Sequence, residues 1–155
     1  MLTRFFSCHG LTAAQGWALL DWCASHGGDE FTIRGLIAGT ESARMRDFFI
    51  DLAPYSLGLA RRRWVDSTAD QEVEVWRLGP ETVSLLRRAF PAGFVSRVVQ
   101  DDLWLEDLAV YRGGELMMGV DSNEGGGVLR VTADELRNLR TLDFPDRDDH
   151  PWVGY

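Results

Sequence analysis

Between Phe94 and Val131 the chain carries four apolar runs in quick succession, "FVSRVVQ", "LWLEDLAVY", "ELMMGV" and "GVLRV", separated only by short polar or glycine-rich stretches. Parallel strands need a crossover of roughly a dozen residues or more between them. None of these gaps provides one, so the runs are expected to pair antiparallel. The clearest turn is Gly113-Gly114, because a tight two-residue hairpin turn asks for positive φ at both positions. Counting outward from it, Arg112 faces Glu115, Tyr111 faces Leu116 and Val110 faces Met117. Leu108 then faces Gly119, Glu106 faces Asp121 and Trp104 faces Asn123.

The first 93 residues mix strand, helix and hairpin signals rather than alternating strand with helix. "TRFFSC" predicts a strand. Thr12 and Gln15 form a T-x-x-Q capping box that opens a helix reaching about Ser25, where "HGG" stops it. "EFTIRGLIAG" alternates apolar and polar residues and predicts a second strand. Met45, Phe48, Phe49 and Leu52 lie on one helical stripe over 41–52. "LARRRWV" and "QEVEVWRL" flank a polar turn and predict a hairpin, with the Arg61 to Arg63 run set against Glu72 and Glu74. Pro80 opens a helix of about ten residues. Thr132 and Glu135 form a second capping box for a last helix ending near Leu142. The expected class is therefore α+β: a single domain over 1–155 with a mostly antiparallel sheet and about four helices, the last dozen or so residues forming an extended tail.

Composition narrows the chemistry. The chain has 155 residues, enough for one core without disulfides or metals. It has no lysine, which removes a Schiff base and the phosphate-binding lysine of a P-loop. No apolar run approaches a membrane span, no signal peptide is evident, and two cysteines make no disulfide framework. The expectation is a cytoplasmic protein with free thiols. Net charge is −8, and it is gathered at one end of the chain. Residues 1–100 hold 11 acidic and 11 basic residues, whereas 101–155 hold 13 acidic and 5 basic. Such a surface repels nucleic-acid phosphate and attracts basic partners.

Three motifs invite a chemical reading. Cys8, His9, Cys23 and His26 fall in one stretch, but a helix of about 15 residues, roughly 22 Å long, separates the two pairs. Their spacing also fits no structural zinc pattern. A Cys/His nucleophile pair is the alternative to plain core and cap. The second motif is the expected Glu106–Asp121 pair, which fits acid/base work, a hard cation together with Asn123, or a partner's arginine. The third, "DSNEGGGVLRVT", has Thr132 where a calcium loop needs a bidentate glutamate. No H-E-x-x-H, P-loop, G-x-G-x-x-G or nucleophile elbow is present.

Three functional readings follow. The first is a small acidic intracellular protein that binds a basic protein partner, of the kind represented by bacterial immunity proteins and inhibitors of toxic nucleases. Its contact residues are Asp101, Asp102, Trp104, Glu106, Asp107, Asp121 and Glu124, where acids steer and an aromatic anchors. It calls for no cofactor, metal, nucleic acid or membrane. The second is a small enzyme or cation-binding protein using Glu106 and Asp121. The third is a structural subunit whose sheet edge completes an oligomer. The absence of a catalytic motif favours binding over catalysis.

Overall fold

The computed structural model describes residues 1–8, 11–34, 43–65, 67–94, 98–100, 103–122 and 124–141. In chain order the strands and α-helices are β1 (Leu2–Ser7), α1 (Ala13–Ser25), β2 (Glu30–Arg34), α2 (Ala43–Leu52), β3 (Ser56–Arg62), β4 (Gln71–Arg77), α3 (Pro80–Ala89), β5 (Val98–Gln100), β6 (Leu103–Arg112), β7 (Glu115–Asp121), β8 (Gly126–Val131) and α4 (Ala133–Arg140). A 3-10 turn over Ala53–Tyr55 leads α2 into β3. Seven strands form an antiparallel sheet in the order β1-β8-β7-β6-β2-β4-β3, and β5 pairs with the start of β6. The protein is α+β, mostly sheet, with four α-helices among the described residues.

Local sequence explains much of this. Thr12 Oγ1 accepts the Gln15 N–H, and Gln15 Oε1 accepts the Thr12 N–H, so the first capping box closes and starts α1. Thr132 and Glu135 do the same for α4. Gly113 and Gly114 both have positive φ, 57° and 82°, as the β6–β7 turn requires.

The sheet separates two apolar layers. One packs α1, α2, α3 and α4 onto the sheet through Leu20, Phe31, Trp76, Leu86, Phe90 and Leu108, among others. Trp17 meets Phe94 edge-on at 5.0 Å, and Phe48 meets Phe90 at 5.3 Å. Each such side chain contributes roughly 1.5–3 kcal/mol by leaving water. The other layer is smaller: Trp64, Ala109, Tyr111, Leu116 and Val128, with Phe5, Val65 and Val73 against them. At Gly127 an added Cβ would come within 2.1 Å of the Phe6 ring, so the strand there has space only for glycine.

The β6–β7 register departs from the expected one. Arg112 faces Glu115 and Tyr111 faces Leu116, but Val110 faces Met118 and Ala109 faces Gly119. Met117 is an extra residue. It and Met118 both enter the helix-side core, while Leu116 belongs to the opposite layer. A bulge lets two consecutive large apolar residues share one face. Every later pair therefore shifts by one, and Glu106 does not face Asp121.

In the β3–β4 hairpin, Arg61 faces Glu72 and Leu59 faces Glu74. The other two arginines turn elsewhere. Arg62 pairs with Glu30 on β2 at 2.5 Å, and Arg63 lies 3.4 Å from Asp70.

A candidate acidic site at one end of the sheet

Four segments meet at the Glu106 end of the sheet: the first half of β6, the end of β7, the β7–β8 turn and the end of β1. Ser7 pairs with Gly126, as does Asp121 from the other side. The Cys8 N–H donates to the Gly125 carbonyl at 2.8 Å, which ties the end of β1 to the turn.

Asp107 organises this end. Between β2 and β6, Ile33 faces Leu108 and Arg34 faces Glu106, so Asp107 is the residue left over. It has φ 49°, the one non-glycine with positive φ among the described residues. Asp tolerates this left-handed conformation better than most residues, at a cost of about 1–2 kcal/mol. The bulge turns its carboxylate toward β7. Asp107 Oδ1 accepts the Ser122 N–H at 2.7 Å, and the Asp107 N–H donates to Ser122 Oγ at 3.0 Å. Asp121 Oδ1 accepts the Glu124 N–H at 3.0 Å, closing the turn with a side chain.

The two carboxylates are buried: Asp107 is 8% exposed and Asp121 9%. Both act on Cys8. Burial first, then Asp121, then Asp107, push the Cys8 thiol up to about 12. Cys8 is therefore a protonated thiol at neutral pH, unsuited to act as a nucleophile. His9 lies outside the described residues. Cys23 is also buried, and burial pushes its thiol up too, but Arg112 and Glu135 act on it in opposite directions. The two cysteines thus occupy different surroundings, and among the described residues no group of three or more His, Cys, Asp or Glu side chains is placed to hold a metal ion.

The expected contact residues divide as follows. Asp107 and Asp121 come together around Ser122, inside the protein rather than on its surface. Glu106 sits half-buried opposite Arg34. Glu124 is exposed on the turn. Trp104 lies on β6 opposite Val99, a position described by its backbone. Asp101, Asp102 and Asn123 lie outside the described residues. The Glu106–Asp121 carboxylate pair does not form, because the Met117 bulge moves Asp121 out of register with Glu106. The sequence reading names Asp107 and Cys8 but not their meeting, and it misses the bridging Ser122. The adjacent Met117-Met118 inside an alternating strand is the signal that marks the register shift.

Comparisons with protein families, curated proteins and solved structures find no match to this chain. No helix among the described residues is long and apolar enough to cross a membrane.

Proposed function

We propose that this is a small acidic binding protein that receives a basic protein partner at the Glu106 end of its sheet. The observation that carries the reading is topological. The fold brings Glu106, Asp107, Asp121 and Glu124, which come from separate stretches of the chain, to one end of the sheet. Asp101 and Asp102, outside the described residues, come just before β6 in the sequence. Asp107 and Asp121 supply field from inside, while Glu106 and Glu124 make the contact. Negative groups arranged this way steer a cationic partner and fix its orientation more than they raise raw affinity. Inhibition of a toxic basic protein, as by an immunity protein, is the biological form that best suits this size and charge.

The test is capture of a basic protein from native lysate at low and high salt, with wild type and the double variant Glu106→Gln, Glu124→Gln. The buried Asp107 and Asp121 stay intact, so folding is preserved. The expected result is capture at low salt, lost at high salt and lost in the variant. Absence of a basic partner at low salt, or capture indifferent to the variant, rejects the reading.

A further inference from the structure

Besides Met1, Leu2 and Ile50, the exposed large apolar residues among the described ones are both on β3. Leu59 is 69% exposed and Leu57 47%. β3 ends the sheet, and among the described residues no strand pairs with its outer side. Its backbone N–H and C=O groups there form a template for another strand. Strand edges are commonly blunted by bulges and charge, and β3 uses a bulge at one end only. The pairing with β4 shifts between Ser56 and Gly58, where Gly58 has φ 85°. From Gly58 to Arg62 the strand runs in regular register.

We infer that Gly58–Arg62 of β3 pairs antiparallel with the same segment of a second copy, about a two-fold axis at Ala60, continuing the sheet across a dimer. This goes beyond the binding of a basic partner and uses a different part of the molecule. The argument is complementarity. Antiparallel pairing about Ala60 sets Leu59 of one copy beside Arg61 of the other. Leu59 faces Glu74 on its own β4, and Arg61 faces Glu72. On one face the row across the dimer therefore reads Glu74, Leu59, Arg61 of the second copy, Glu72 of the second copy, and the two-fold repeats it in reverse.

The stem of each Arg61 covers the exposed Leu59 of the other copy. Its guanidinium then has Glu74 two strand spacings away, roughly 10 Å between Cα atoms and within the joint reach of the two side chains. On the opposite face Ala60 meets Ala60 and leaves the backbones free to approach. Gly58, where an added Cβ would meet nothing within 4 Å, leaves room beside Arg62 of the second copy. An acidic strand from another protein would set its carboxylates near Glu72 and Glu74, and a wholly basic one would meet Arg61 and Arg62. A strand whose one face carries an apolar residue and then a basic one suits the edge, and Leu59 and Arg61 of β3 are such a pair.

Sedimentation equilibrium over a wide concentration range tests this on the full chain. Wild type is expected to pass from 17.5 kDa to twice that mass as concentration rises. Leu59→Lys sets a cation against Arg61 and is expected to weaken the dimer by roughly tenfold or more. Arg61→Glu does the same by facing Glu74, and the double variant Arg61→Glu, Glu74→Arg restores association. Unchanged thermal melts at low concentration show that the monomers stay folded, since these side chains are exposed. Wild type that remains at 17.5 kDa throughout overturns the inference, including where that monomer takes up an acidic extended peptide instead. So does a dimer that ignores Leu59→Lys and Arg61→Glu, or one that the double variant fails to restore.

Discussion

The two ends of the sheet make a natural comparison, because each holds a buried free cysteine that senses its surroundings. At the far end, beside the Gly113-Gly114 turn, Arg112 reaches Glu135 at 2.5 Å and also donates to the His26 carbonyl at 3.1 Å. Burial alone would raise the Glu135 carboxyl, but hydrogen bonds from Arg112 and Thr132 outweigh it and leave the carboxyl below its ordinary value. Charge there is balanced, and Cys23 feels an arginine and a glutamate that oppose each other. At the near end Cys8 feels Asp121 and Asp107, which push it the same way. The difference teaches that similar burial leaves two thiols in different fields. One end spends its charge on holding α4 and the end of α1 to the sheet. The other uses Asp107 and Asp121 to hold Ser122 and the β7–β8 turn.

The largest change at neutral pH should come from breaking the balanced end. Arg112→Ala removes the ion-pair partner of Glu135 and the Arg112 donor to the His26 carbonyl. We expect a loss of about 2 kcal/mol in chemical denaturation. An unchanged midpoint would mean that the ion pair is not what distinguishes this end.

Alkaline titration comes next. A thiol whose folded-state value is raised stabilises the fold fully below the ordinary thiol value of 9.0, because both states are then protonated. Above that pH the unfolded chain loses its proton first, so stability falls by about 1.4 kcal/mol per pH unit for each such thiol. For Cys8 the fall extends to about 12. Denaturation midpoints measured as a pH series should decline from pH 9 upward, and Cys8→Ala should flatten part of that slope.

The smallest effect is the sharpest test of the contrast. Asp121→Asn keeps an oxygen for the Glu124 N–H but removes one of the charges acting on Cys8. The Cys8 titration, followed by its Cβ chemical shift, should move down. Arg112→Met should move that of Cys23 up, since Arg112 lowers it. Shifts in the same direction would show that the two ends do not differ as described.

What could be read from the sequence follows from the range of the forces involved. Thr12 with Gln15, Thr132 with Glu135, and Gly113-Gly114 act within a few residues, and each forms as its spacing requires. The antiparallel α+β class follows from the same local signals. Register is different, because tertiary packing decides it. Met117 and Met118 share a face only because the helix-side core has room for both, and this moves Asp121 out of register with Glu106. Asp107 becomes a bulge only because β2 lies between β4 and β6, and no short-range pattern encodes that neighbourhood. The acidic residues of the last third could be counted from the sequence. That two of them turn inward around Ser122 could not, since an Asp in a strand looks the same whichever way it faces.

The place of β1 has a consequence for the order of assembly. Among the described residues its sole strand partner is β8, so β1 must wait for a strand made much later. On the ribosome Phe5 and Phe6 emerge with no neighbour to cover them until most of the chain has followed. A closure spanning that much sequence comes late and is slow. Until then a helper that shields the nascent β1 would guard the yield of folded protein more than any stabilising change elsewhere.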